Sequence, residues 1–179
     1  MYQALVDFWF SDEASQYWFN STTAFDHQLQ ADYGAVWQQA KQGELDSWGE
    51  TAIGSLALVI LLDQIPLNIF RGKPDSFSTE AQSIIVARAA IDNGFDTELT
   101  TQQKSFLYMP FMHSENWQDQ VLALELFGQP GLEANLRFSK HHNEIVKRLG
   151  RCPHRNVILG RESSQAEIEY LNSKQAFNG

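Results

Sequence analysis

Cysteine is almost missing from this 179-residue chain, and Cys152 stands alone. That excludes an internal disulfide framework and fits a reducing compartment, so cytoplasmic residence is the expectation. The first ten residues, Met1 to Phe10, hold no basic stretch and no signal-like cleavage site, and no secretory leader is expected. Long apolar runs are also lacking. The longest, Ala52 to Leu62, is broken by Gly54 and Ser55 and falls short of the roughly 20 residues a membrane span requires, which predicts no membrane segment. Strict repeats, low-complexity tracts and period-two alternation are scarce. There is no phosphate-binding Walker loop, no Gly-rich dinucleotide fingerprint and no Gly-x-Ser-x-Gly elbow. Nucleotide-cofactor and serine-hydrolase functions lose their usual support, and no cofactor is expected.

Positive charge is in short supply too: 13 Lys and Arg against 22 Asp and Glu give a net charge of −9, which disfavours nucleic acid as a partner. The shortage is uneven. Seven of the 13 basic residues (Arg137, Lys140, Lys147, Arg148, Arg151, Arg155, Arg161) lie between Arg137 and Arg161 against the single acid Glu144, so that stretch carries +6. Such an island suits either an anionic small molecule or ion pairs with the acidic remainder of the chain.

With 43% apolar and 12% aromatic residues, the chain can bury a real core, and one domain spanning 1–179 is expected. Four capping-box patterns, Ser47/Glu50, Thr79/Gln82, Thr100/Gln103 and Ser164/Glu167, mark helix starts. Glycines 43, 72, 94, 128 and 150 stand where helical patterns stop, as left-handed C-terminal caps do. Apolar stripes run through Phe25, Leu29, Val36 and Trp37, through Ile84, Ile85, Ala87, Arg88 and Ile91, and through Val121, Leu122, Leu124, Glu125 and Leu126. The fold class predicted is all-α, with helices near 1–9, 22–42, 50–65, 78–93, 101–108, 114–128, 131–149 and 164–172. Helix-turn-helix units of about 35 residues would tile it as stacked antiparallel hairpins. The aromatic run Phe8-Trp9-Phe10 with Trp18 and Phe19 is expected to seal the first hairpin's core, since its acidic surroundings do not suit base stacking.

Several blocks in fixed order carry a resemblance across nearly the whole chain: Phe8-Trp9-Phe10, Trp18-Phe19, Leu61-Leu62-Asp63-Gln64 with Pro66, Asn68-Ile69-Phe70-Arg71-Gly72, Tyr108-Met109-Pro110-Phe111-Met112-His113-Ser114-Glu115, Asp119-Gln120 and Gly150 to Arg161. The sequence resembles the bacterial family known as domain of unknown function 924. The resemblance implies an all-helical, tetratricopeptide-like array and brings no established activity. The family's Asp-Gln-Phe-Pro-Arg-Asn block stands here as Asp63-Gln64-Ile65-Pro66-Leu67-Asn68, so Leu67 replaces an arginine. Leu149 and Cys152 stand where the family tends to have phenylalanine.

The richest chemistry lies in Gly150-Arg151-Cys152-Pro153-His154-Arg155-Asn156 and Leu159-Gly160-Arg161, where glycine and proline hold polar side chains in set directions. Asp63, Asn68, Arg71, Arg151, Arg155, Asn156 and Arg161 are the ligand-binding candidates, because the planar guanidinium fork matches carboxylate and phosphate. His113, His154 and Glu115 are the catalytic candidates, as groups whose proton affinity can be tuned toward neutrality. Phe70, Tyr108, Phe111 and Trp117 are expected as aromatic walls of a pocket closed by the 150–161 loop. No metal site is predicted, since neither paired cysteines nor a two-histidine helical motif occurs. Two functions stand open: binding or transforming a small anionic molecule, with enzyme status undecided, or a helical scaffold that holds a protein partner on its concave face. Oligomeric state is not fixed by the sequence.

Overall fold

A computed structural model of the chain describes residues 1–177, and among them every regular element is helical, with no strand. The elements are α1 Tyr2–Trp9, α2 Asp12–Ser15, α3 Thr23–Lys41, α4 Ala52–Val59, α5 Ile65–Ile69, α6 Glu80–Asp92, α7 Thr101–His113, α8 Trp117–Phe127, α9 Glu133–Leu149 and α10 Gln165–Leu171. They group into two compact units, one of residues 1–71 and 75–110, the other of residues 72–74 and 111 onward.

The core of the first unit is an aromatic and aliphatic interior. Phe106 is its hub: Trp9, Phe10 and Trp18 meet it edge-on, with ring centroids 4.6–5.8 Å away, and Phe19 stacks on it at 6.4 Å. Edge-to-face geometry of this kind adds attraction beyond the area buried. The Trp18 indole N–H donates to the Trp9 carbonyl at 2.9 Å, fixing the turn after α1. Phe19 itself remains 76% exposed.

α4 and α5 form one path through a wide π turn at Ile60–Gln64, longer than the sequence suggests. The 18 residues Ala52–Ile69 have the length and apolarity of a membrane span, and 78% of them are buried inside the protein. Their apolarity is therefore consumed by packing. Pro66 explains a second feature. Lacking an N–H, it cannot bond the Leu62 carbonyl one turn earlier; the Thr79 hydroxyl donates to that carbonyl at 2.6 Å, and Thr79 in turn accepts the Trp37 indole N–H at 3.3 Å. Thr79 thus makes no side-chain cap for α6, contrary to the expected capping box. Ser47/Glu50 is no box either: residues 46–50 form a 3-10 turn, and Thr51 caps α4 by accepting from Gly54 N–H at 3.1 Å. Thr100/Gln103 and Ser164/Glu167 do form reciprocal boxes.

Other expectations are corrected by the packing. α7 runs through Pro110 to His113, past the end expected near 108. Gly128 has φ −70°, an ordinary helical value, and the left-handed turn after α8 falls at Gly131 (φ 89°). Ile85 is 68% exposed and Val121 47% exposed; the buried faces are Ser83, Ala87 and Ala90 on α6 and Asp119, Gln120, Ala123, Leu126 and Phe127 on α8. Small and polar residues face inward there because the helices approach closely or because a hydrogen-bonding role awaits them.

In the second unit α8 packs against α9, whose inward face is Ser139, His142, Asn143, Ile145 and Val146. Gly150 ends α9 in the left-handed region at φ 76°, turning the chain into the 150–161 loop.

Candidate functional site

Three of the candidate residues lie together in the first unit. Asp63 and Asn68 are 5% and 8% exposed. The Gln64 amide donates to Asp63 at 2.6 Å, and the Asn68 amide caps the Gln64 carbonyl at 3.0 Å. Arg71 donates through Nε and Nη2 to Asp26 at 2.9 and 3.2 Å and through Nη2 to Asn68 at 3.0 Å. Its fork is therefore occupied by an internal carboxylate. In the same unit Phe70 packs edge-on against Trp37 at 4.7 Å, and the Tyr108 hydroxyl donates to Asp96 at 2.7 Å.

The second unit brings together Glu115, His113, Arg151, His154, Arg155, Asn156 and Arg161, with a geometry that starts at the end of α7. The Gln120 amide, fully buried on α8, donates to the carbonyls of Met112 at 2.7 Å and Ser114 at 2.6 Å, satisfying groups a helix end leaves open. Ser114 donates to Asp119 at 2.8 Å and accepts the Asn116 N–H. Asn116 then caps α8 through Gln118 and Asp119 N–H. This tight turn fixes Glu115.

Glu115 holds the loop. One carboxylate oxygen accepts the Cys152 N–H at 2.8 Å and Arg161 Nη2 at 2.9 Å; the other accepts Arg161 Nη1 at 2.7 Å. Arg161 also donates to Asn156 Oδ1 at 2.9 Å and to the Cys152 carbonyl at 3.1 Å. Burial works to raise the Glu115 carboxyl, but the Arg161 and Cys152 hydrogen bonds and the Arg155 and Arg161 charges outweigh it, and the net shift is downward. A second clamp lies alongside: Arg151 grips Glu167 of α10 through Nε at 2.6 Å and Nη2 at 2.9 Å. The Arg151 hydrogen bonds lower Glu167 to about 2. Buried Arg155 donates to the His113 carbonyl at 2.6 Å. The Asn156 amide donates to Ser163 at 3.0 Å.

The clamps present histidine. His142, 4% exposed on α9, lies with its ring 6.3 Å from His113. Phe177 faces both His142 at 4.6 Å and His154 at 5.0 Å. Nδ1 of His142 and Nδ1 of His154 are buried without a hydrogen-bond partner, as are Ser139 Oγ, Asn143 Nδ2 and Gln120 Oε1. Burial is the largest cause pushing His142 down to about 3, with His113, His154, Arg155 and His141 adding positive repulsion. Burial and then Arg155 push His154 down to about 4. Both rings are neutral at physiological pH, so each carries one ring nitrogen that accepts and one that donates. Among the described residues no three His, Cys, Asp or Glu side chains are grouped to hold a metal ion. Beside this cluster a cavity of about 390 Å³ is lined by His141, Glu144, Ile145, Arg148, Leu149, Tyr170 and Gln175.

Ser139, Asn143, Glu167 and Phe177 escaped the reading of sequence. The spacing of Ser139, His142, Asn143 and Val146 is that of one buried helix face, which was the available signal. Glu167 looked like a capping residue alone, and it is one, since its carboxylate also accepts the Ser164 N–H at 2.7 Å.

The profile of the family "Bacterial protein of unknown function (DUF924)" matches residues 5–175. The solved structure of a protein of unknown function from Agrobacterium tumefaciens is similar at 37% identity and a TM-score of 0.91, covering 96% of each chain. Among proteins with curated functions, none matches.

Proposed function

We propose, for a chain that belongs to the DUF924 family of bacterial proteins, that it binds a small anionic molecule bearing a hydroxyl or acidic proton, received by His142, His154 and His113 beside Arg155. The observation that carries this is the pair of buried, partnerless imidazole nitrogens on His142 and His154. A buried polar atom without a hydrogen bond costs free energy, on the order of 1–3 kcal/mol, which a ligand offering the complementary group would recover. The loop arginines serve this site indirectly. Arg151 and Arg161 meet Glu167 and Glu115, so they hold the loop in place and set the position of His154.

Binding is favoured over turnover. Glu115 accepts three hydrogen bonds from Cys152 and Arg161, which leaves it poorly suited to carrying protons. His154, pushed down to about 4, is far from the poise near neutrality that a general base needs. An entering anion would raise both histidines, so affinity strengthens as pH falls toward 6 and binding takes up protons. Cytoplasmic residence is part of the proposal and is supported by the lone, buried Cys152 thiol.

The test is thermal unfolding against a panel of phosphorylated and carboxylated metabolites. A ligand at about 100 times its Kd adds roughly 2.7 kcal/mol, or about 5–10 °C for a chain of this size. The expected result is a rise for one chemical class that His154→Phe abolishes, with a binding enthalpy that depends on the buffer's ionisation heat. A flat panel over pH 5.5–8 would sink the proposal.

The second reading, a stacked helical-hairpin scaffold with a protein partner, is favoured by Trp117 and Val121, one turn apart on α8 and 42% and 47% exposed. Loss of a co-purifying partner on Trp117→Ser with Val121→Ser would establish it.

A further inference from the structure

We infer that the segment after α10 is a displaceable plug, with Phe177 closing the histidine cluster until a ligand takes its place. The inference rests on the binding reading and adds its regulation.

Three observations converge on Phe177. Its ring meets His142 at 4.6 Å and 65°, His154 at 5.0 Å and 76°, and His141 at 6.3 Å and 61°, so one side chain touches both imidazoles that carry a buried, partnerless Nδ1. Benzene hydrogens offer an imidazole only weak edge contacts and no hydrogen bond. The ring therefore excludes water from the cluster while leaving the polar atoms unmet.

The tether is slight. Asn172, Ser173, Lys174 and Gln175 are exposed, and the backbone bonds back on itself over short range, as where the Ala176 N–H donates to the Ser173 carbonyl at 3.2 Å. Phe177 is anchored by its backbone N–H, which donates to the buried Tyr170 hydroxyl at 2.8 Å. An exposed tract whose described anchors are ring contacts and a backbone hydrogen bond has little buried packing to hold it, and such segments lie at the low-stability end of a structure.

There is also somewhere for the opening to lead. The 390 Å³ cavity has Tyr170 and Gln175 in its wall beside His141, Ile145 and Leu149, so the groups that tether the tail and the neighbour of His142 share one space. A small molecule seated there lies next to the plug, and displacing the ring would bring it onto His142 and His154. A closed plug lowers apparent affinity by the fraction of time it is open.

The experiment needs no ligand. Diethyl pyrocarbonate acylates neutral imidazole nitrogens that it can reach, and peptide mass spectrometry reads each of the five histidines separately. In the wild-type chain exposed His27 should react fastest and His142 and His154 slowest. Phe177→Ala should accelerate His142 and His154 about tenfold or more, as expected if the open state is populated at about 10% or less, while His27 is unchanged. Tyr170→Phe keeps the ring but removes the acceptor for the Phe177 N–H, and should give a smaller acceleration at the same two sites. Unchanged rates at His142 and His154 in both variants overturn the plug. Acceleration of all five histidines with loss of helical circular dichroism in both variants overturns it as well, because Phe177 would then be core. If Phe177→Ala alone unfolds the chain, the Tyr170→Phe rates decide. A flat metabolite panel alongside selective acceleration would refute the binding reading and leave the plug standing.

Discussion

Around Trp9 the interior is built from rings; around Glu115 it is built from charges. In the first unit Trp9, Phe106, Leu29, Ile60 and Leu61 are 0–1% exposed, and the buried hydroxyl of Thr79 serves backbone left open by Pro66. In the second, Glu167, Arg155, Asn156, His142 and Asn143 are buried, and directional hydrogen bonds hold Glu167, Arg155 and Asn156. Apolar packing tolerates exchange of one shape for another. A charge lattice does not, because each member removed leaves its partner unsatisfied. The difference is why the proposed binding site is sought in the polar unit, where His142, His154, Ser139 and Asn143 carry buried atoms that a ligand could satisfy.

The comparison is broken most strongly at the aromatic side. Trp9→Ala should cost about 3–5 kcal/mol by opening a cavity in a fully buried site, and calorimetry should show the midpoint falling by more than about 6 °C. Trp9→Phe should cost far less, since the Trp9 indole N–H has no hydrogen-bond partner to lose. Next comes Glu115→Ala, which strands the Arg161 fork and the Cys152 N–H. About 2–3 kcal/mol is expected, with the Cys152 amide becoming one of the fastest-exchanging in its segment by hydrogen exchange.

Two pH experiments sharpen the contrast. Folded His142 and His154 titrate at about 3 and 4 against an ordinary 6.5, so the stability they lend is complete above 6.5 and lost as pH falls toward those values. Urea unfolding of His142→Leu should flatten that arm between pH 6.5 and 4, and imidazole NMR of the wild type should show both rings neutral at pH 6. Glu167, lowered to about 2 from 4.5, acts further into acid: its contribution is present above 4.5 and lost toward 2, and Glu167→Gln should remove that dependence. The smallest effect belongs to Val157, 89% exposed in the loop, where Val157→Ser should stay within about 0.5 kcal/mol in the same unfolding assay.

Much of the helical plan was legible because capping chemistry and apolar spacing are local. The boxes at Thr100 and Ser164 and the left-handed Gly150 needed no distant partner. Thr79 looked identical in sequence, yet its hydroxyl answers a carbonyl 17 residues away. The loop was legible as a concentration of arginine between glycines. Which carboxylates would meet those arginines was not, since Glu115 lies 46 residues from Arg161 and Glu167 also reads as a capping residue.

The amino-acid order by itself determined an all-helical chain, the family it belongs to and the rigid polar loop, because propensity, caps and motif blocks act within a few residues. Only the tertiary structure decided that Arg151 and Arg161 would clamp the loop, that His142 would join His113, and that Phe177 would pack against His142 and His154. Burial and long-range pairing set those outcomes: a charge or imidazole takes its protonation and its partners from what the fold packs around it.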